Sequence, residues 1–446
     1  MRHGLRGPRV GGPARRAGRA AACASAPRRR RREARIVRRL GAWLALAIVA
    51  AARAVTPAGS PERQTSIALV GGRVQPSPDA AAIPDGAVIV EGGVITTVGP
   101  RSDVRVPPGA TVIDCAGGAV LAGFWNNHVH FLEPVWNDAA TAPAERLAGA
   151  LRAMLTSYGV VHALDTGSGP QTTLALRRRV TSGEIPGPTI MTTGAYLVPE
   201  GGSPFYIRSR LPELKSAAMA AASVDGAIDT GADGIKILTG SFASARSIVV
   251  MPLEHARAVT EAAHRRGTFV IAHPSNSAGA RVAIEGGVDI LAHTFPAQLD
   301  GRPWDRALPG LMVERRVALV PTLKLVPDDL RRLGLPPAVI QLLLGNAQAQ
   351  LRAFADAGGQ VLFGSDVGYL RDYDPTDEYV LMQQAGLSYA RILAALTTAP
   401  AERFGAATRA GRLARGFAAD VVVVDGNPRA TFAPSRRCAT RCGRVV

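Results

Sequence analysis

Five residues stand where apolar runs end and a sixth lies inside one, and their types suit metal chemistry. Asn127-His128-Val129-His130 closes the run AVLAGFW. An i, i+2 pair puts both imidazoles on one face of a strand, and neutral imidazole is a common zinc ligand. His273 closes TFVIAHP, His293 closes DILAHTF, and Asp366 lies in VLFGSDV. A lone H-x-H pair is weak support, and a single histidine at such a place is more often a hydrogen-bonded core residue. Yet four of the eight histidines share this one placement. His255 and His264 lie on a polar helical stretch and read as surface residues, and His162, inside VVHALDT, reads as core.

The sixth residue is Lys236, between Ile235 and Ile237 in GIKILTG. The chain has three lysines, Lys215, Lys236 and Lys324, against 49 arginines. A lysine inside an apolar strand is costly unless its pKa falls or it is modified. A neutral amine reacts with CO2 to give a carbamate, a carboxylate-like group able to bridge two metals. The bland alternative is a packed stem whose amine reaches solvent, and Lys324, near another strand end, serves as its comparison.

These residues need a frame that aligns strand ends. Residues 65–118 read as short β segments punctuated by Gly, Pro and Asp, and residues 407–446 read likewise from ADVVVVDGNP onward. Between them, over 119–406, eight apolar runs alternate with helical stretches: AVLAGFW, VVHALDT, PTIMTTG, GIKILTG, TFVIAHP, DILAHTF, ALVPTLK and VLFGSDV. Eight β-then-α units predict an α/β fold, a (β/α)8 TIM-type barrel, with catalytic groups at the C-terminal ends of its strands. Strands buried on both faces read as continuous apolar runs, as these do. The two β-rich ends are expected to fold together as a small β-sandwich.

In these motifs the chain resembles the amidohydrolase superfamily over about 65–446, and within it the imidazolonepropionase-like and Xaa-Pro dipeptidase-like subgroup. GFWNNHVHF resembles the first-strand H-x-H motif, and GADGIKILTG the segment with the carboxylated lysine. HPSNSAGARVAIEGGVDILAH resembles the fifth-to-sixth strand segment, and GSDVG the eighth-strand aspartate motif. APAERFGAATRAGRLARGFAADVVVVDGNP resembles the closing segment. The resemblance implies a binuclear site: His128, His130 and Asp366 on the more buried metal, His273 and His293 on the other. Carboxylated Lys236 and a hydroxide would bridge them. Zinc is the expected metal, two ions per chain. Asp366 would act as general base and then general acid in cleaving an amide or peptide bond. The family usually has Asp two residues before the first histidine, where this chain has Asn126.

The deaminases of the superfamily carry a Glu shortly before the fifth-strand histidine, and here Val270, Ile271 and Ala272 precede His273. A dipeptide or N-acyl amino acid is the expected substrate. A lactone or phosphotriester is the alternative on the same metals, and an inactive barrel acting as a binding protein is the alternative of another class. Loops after the third and eighth runs hold Tyr196, Glu200, Tyr206, Arg208, Arg210, Tyr369 and Arg371. An Arg–Tyr pair among Tyr196, Tyr206, Arg208 and Arg371 would hold a substrate carboxylate; ordinary loop charge explains them equally well. Trp125 and Trp136 either wall the pocket or pack.

Of 446 residues 47% are hydrophobic and 20% charged, as in a globular protein, so disorder of the whole chain is excluded. The net charge of +17 is local. Residues 1–54 hold 15 arginines and one acid, Glu33, and the rest is nearly neutral. Leu40–Ala52 is an uncharged run too short to span a bilayer easily, with Arg38-Arg39 before it and Ala52-Arg53-Ala54 after it. That pattern predicts an export leader over 1–54 with a basic extension. A mature periplasmic or secreted chain would then keep no membrane span. A basic arm for nucleic acid is the weaker reading, because it needs neither the apolar run nor the small-residue site, so no nucleic-acid partner is expected. No P-loop or G-x-G-x-x-G follows a strand, so a nucleotide enzyme has no support. A small-molecule substrate is the expected partner, and self-association into a homo-oligomer is left open. Cys115, Cys438 and Cys442 remain after the leader, an odd number without a C-x-x-C pair, and packed thiols are expected.

Overall fold

A computed structural model describes residues 66–207, 211–429 and 440–442. The expected export leader, Arg208, Arg210 and Cys438 lie outside the described residues.

The first part of the chain builds strands β1 (Ser66–Val74), β2 (Ile83–Glu91), β3 (Val94–Pro100), β4 (Thr111–Asp114) and β5 (Gly118–Ala122). Their alternation buries both faces of β1: Ile67 and Leu69 join one apolar cluster, Ala68 and Val70 another. β5 runs parallel to β1 and antiparallel to a strand from the far end of the chain, Val421–Asp425. That strand is four consecutive valines and an aspartate, β-branched residues that fit a pleated, buried surface. Residues 440–442 pair with it in turn.

Gly123 separates this sheet from the next element. Its N–H donates to the Asp420 carbonyl at 2.7 Å, and a Cβ there would lie 2.3 Å from Val161 Cγ2. The run AVLAGFW is therefore divided between two sheets: Ala119–Ala122 belong to the first, and β6 (Phe124–Val129) opens the second. β6, β7 (Val160–Asp165) and β8 (Thr189–Thr192) are parallel. After short β9 (Val198–Pro199) and β10 (Glu213–Leu214), strand β11 (Gly234–Leu238) leads through the hairpin β12 (Gly240–Ser244) and β13 (Ser247–Val250). Then β14 (Phe269–His273) pairs in parallel with β11, β15 (Ile290–Ala292) with β14 and β16 (Ala318–Val320) with β15. The valine strand at 421–425 is β17 and Thr440–Cys442 is β18.

Helices alternate with these parallel strands, including Pro170–Thr181, Ala220–Thr230, Leu253–Arg265, Ser277–Glu285 and Leu325–Arg332. Leu253–Arg265 buries Ala256, Val259 and Ala263 against the sheet and turns its charged residues outward. Asn276 caps Ser277–Glu285, accepting from Gly279 N at 2.8 Å.

Seven of the eight predicted runs form strands. VLFGSDV instead makes single parallel bridges, Val361 with Leu319 and Val367 with Val129. The cause lies in Asp366, whose φ of +56° takes the backbone out of the extended region. The Asp366 N–H still reaches the His128 carbonyl at 2.9 Å, so the segment is laced to β6. No helix among the described residues is long and apolar enough to cross a membrane.

Candidate metal centre and active site

The structure brings all six sequence-predicted residues into one buried cluster. His128 lies on β6 and His130 follows its last residue. Asp366 Oδ1 lies 3.1 Å from His130 Nε2 and 3.6 Å from His128 Nε2, and Asp366 Oδ2 lies 3.9 Å from His293 Nδ1. The His293 ring is 4.6 Å from that of His128 and 4.7 Å from that of His273. One ligand atom from each of His128, His130 and Asp366 falls within 4.8 Å of the others, a spacing that fits one ion. Lys236, on β11, is 3% exposed.

The hydrogen bonds around the imidazoles decide which nitrogen keeps its lone pair. His130 Nδ1 is 3.1 Å from the Gly167 carbonyl, which can only accept, so Nδ1 carries the proton and Nε2 is free beside Asp366. The Thr322 hydroxyl donates to Pro321 O at 2.9 Å and so accepts from His293 Nδ1 at 2.6 Å. The Ser275 hydroxyl donates to Gly240 O at 2.9 Å and accepts from His273 Nε2 at 3.0 Å. Neutral imidazoles oriented by such partners present one lone pair each, as a metal ligand must. Burial lowers the pKa of all of His128, His273 and His293, with the Lys236 charge acting the same way, and His273 falls to about 3. All three are neutral at neutral pH.

The two buried lysines differ in one respect. Lys324 Nζ, buried rather than reaching solvent, donates to Asp372 O at 3.2 Å, Asp372 Oδ2 at 2.9 Å and Asp374 O at 2.6 Å. Lys236 Nζ is buried with no hydrogen-bond partner. Burial lowers its pKa to about 7, against the opposing pull of Asp366. An orphaned amine beside three neutral imidazoles, with Asp366 Oδ1 and His128 Nδ1 also unpartnered, is a donor set whose chemistry suits a cation. The residues fit divalent metal.

Several supporting residues carried no signal in the sequence. Four of the five non-glycine residues at positive φ among the described residues are Ser275, His293, Thr322 and Asp366. Local backbone strain therefore concentrates on the cluster, as it does at functional sites. Asp165, fully buried at the end of β7, accepts from Ser168, Thr173 and Thr192 at 2.5, 2.7 and 2.8 Å. It fixes the turn that offers Gly167 O to His130. Gly167 has φ +137°, and a Cβ there would sit 2.0 Å from the Tyr196 ring. Only glycine lets Tyr196 lie against that turn.

Burial pushes the Tyr196 hydroxyl up to about 12, with the Asp366 and Asp165 carboxylates adding to the shift. Tyr206 is partly exposed and faces Tyr369 at 6.1 Å between ring centroids. Arg371 and Glu200 point to solvent, outside the cluster. Trp125 stacks on His162 at 4.0 Å and Trp136 packs against Phe131, so both are packing residues. His162 pairs with Asp420 and the exposed His264 with Asp289. Cys115 is a buried free thiol, as expected.

Residues 119–438 match the family model described as "Amidohydrolase family". The chain belongs to the amidohydrolase family. The ochratoxinase of Aspergillus niger is 25% identical over 362 residues, 69% of this chain and 70% of the relative. A prolidase solved with N-methylphosphonate-L-proline is 25% identical with a TM-score of 0.69, covering 84% of this chain and 97% of its own. A Xaa-Pro dipeptidase with methionine bound in its active site shares the fold at 20% identity, TM-score 0.71, with coverage of 84% and 97%. The fold is TIM-barrel-like α/β. This amidohydrolase is similar in fold to prolidases and Xaa-Pro dipeptidases and is a metal-dependent hydrolase of carbon–nitrogen bonds.

Proposed function

We propose that this amidohydrolase is an exported binuclear enzyme that cleaves the amide bond of a dipeptide or N-acyl amino acid. Of the expected span 119–406, the residues from Phe124 onward form its closed (β/α)8 barrel, Ala119–Ala122 joining the strands from both chain ends in its β-sandwich, and residues 1–54 form its leader. One observation carries the reading: the Lys236 amine is buried and unpartnered among neutral histidines and Asp366. His128, His130 and Asp366 would hold one zinc ion and His273 and His293 the other, with carboxylated Lys236 shared between them. Two such ions, when bound, lower the pKa of water and polarise a carbonyl.

The protein's own groups do the rest. Lys236, with a pKa of about 7, supplies the neutral amine that carboxylation needs. Asp366 lies within 3.9 Å of three imidazoles and holds an unpartnered Oδ1. That oxygen accepts the proton of the attacking water and returns it to the leaving nitrogen. Tyr196 stays protonated and offers a hydrogen-bond donor at the edge of the site.

Elemental analysis of the purified 55–446 chain tests this. About two zinc-like ions per chain, falling when Lys236 becomes Ala, support the shared site and justify a screen over dipeptides, N-acyl amino acids and lactones. One ion that ignores Lys236 would return the chemistry to a single metal.

A further inference from the structure

Tyr369 stands three residues beyond Asp366, and the turn between them is closed by Tyr369 N donating to Asp366 O at 3.2 Å. Whatever positions Asp366 therefore also positions Tyr369. The guanidinium of Arg332, at the end of the helix Leu325–Arg332, lies 4.7 Å over the Tyr369 ring. Its Nη2 donates to both Asp329 Oδ1 and the Tyr369 hydroxyl, and that hydroxyl donates to Asp329 Oδ1 at 3.1 Å. Lys324 pins the residues that follow Tyr369, through its bonds to Asp372 and Asp374.

Only one nitrogen of Arg332 is spent in this arrangement. Among the described residues Nε and Nη1 have no partner, and the side chain is 52% exposed. An arginine stacked on a ring and fixed at one nitrogen loses little freedom when it takes a carboxylate on its other edge. Beside it the rings of Phe205 and Tyr206 lie 5.4 Å apart and Tyr206 faces Tyr369. Phe205 is 45% exposed, an apolar surface in need of a cover.

We propose that Arg332, held by Tyr369 and Asp329, binds the free carboxylate of the substrate's C-terminal residue, and that Phe205 and Tyr206 cover an apolar side chain on that residue. The assignment deepens the hydrolase reading and rests on it for the orientation of the substrate. It places the specificity arginine after β16, not in the loops of Arg208 and Arg371.

Binding of 3-phenylpropionate and of uncharged 3-phenylpropanol to the zinc-loaded enzyme tests it, by calorimetry. The wild type is expected to prefer the acid. Arg332→Ala should weaken the acid about tenfold or more, the worth of one charged hydrogen-bonded contact, and leave the alcohol within about twofold. Arg332→Lys should keep part of the preference. Arg331→Ala, a neighbouring arginine paired with Asp328, should keep all of it. Equal metal content in every variant confirms an intact site. An acid preference that survives in Arg332→Ala, or no preference in the wild type, overturns the proposal. Loss of the preference in Arg332→Ala, with no hydrolysis of any peptide or N-acyl amino acid, would keep the carboxylate site and sink the dipeptide and N-acyl amino acid reading instead. Where hydrolysis is found, Arg332→Ala should raise KM for free acids far more than it lowers kcat.

Discussion

His293 Nδ1 lies 2.6 Å from the Thr322 hydroxyl, which itself donates to Pro321 O. The backbone of both residues is left-handed, at φ +73° and +43°, a conformation unusual for a β-branched residue. The contact joins the end of β15 to the turn after β16 and leaves His293 Nε2 as the bare nitrogen. Replacing Thr322 with Val keeps the shape and removes the acceptor. Metal affinity should then fall about 10- to 100-fold, as it does when a partner that orients a ligand is lost. Thr322→Ser should hold close to wild type. Competition with a chelator measures both, and equal affinities would mean that packing alone orients the ring.

The two buried lysines should separate under mutation. Lys236→Ala is expected to lower metal content and abolish hydrolysis while the fold persists, because its amine makes no protein hydrogen bond. Lys324→Met loses three bonds to the 372–374 segment. It should keep the metals and lose about 1–3 kcal/mol of stability. Metal analysis and urea unfolding, run on both variants, would show the reverse pattern if Lys324 were the ligand.

The metal-free protein should show the cost of Lys236 as a pH dependence. The amine is neutral in the fold down to about 7, whereas in the unfolded chain it takes a proton below the ordinary 10.5. Between those values the unfolded state binds the extra proton, so stability rises with pH across that window. The largest slope is about 1.4 kcal/mol per pH unit for one proton. Below about 7 both states are charged and the contribution is flat. Lys236→Met should remove the slope, which the difference between two denaturation series in the presence of chelator isolates. Parallel series would show that the amine reaches water.

Five of the six clustered residues were legible because each ends an apolar run, and parallel strands deliver their ends to one place. The sequence also marked Lys236 through the scarcity of lysine. What it could not show is what depends on distant backbone. Ser275 and Thr322 are ordinary loop residues until strain and a carbonyl neighbour turn their hydroxyls toward His273 and His293. Arg332 is one of 49 arginines, and only the pairing of β16 with Val361 brings its helix beside Tyr369. VLFGSDV reads as a strand by composition, yet the left-handed Asp366 interrupts it, a local geometry no apolar pattern encodes.

Asn126 is where the chain departs from the aspartate usual in its family, and the structure gives that amide a use. Its Nδ2 donates to Ser365 Oγ at 2.7 Å, while Oδ1 accepts from Ser365 N at 3.2 Å and His128 N at 3.3 Å. One side chain thus ties β6 to the residue before Asp366, and so sets the spacing between His128 and Asp366. A carboxylate could accept the two N–H groups but has no proton to donate to Ser365. The serine hydroxyl can turn and donate instead, so Asn126→Asp should keep the tie and cost little. Asn126→Leu removes every bond and leaves two buried N–H groups unpaired, at about 1–3 kcal/mol each. It should lower stability by that order and reduce kcat more than it raises KM, since the proton-carrying carboxylate shifts while the carboxylate-binding edge stays. Urea unfolding and steady-state kinetics on the two variants decide it. An Asn126→Leu enzyme with wild-type kcat would show that Asp366 is held by its own turn and needs no tie to β6.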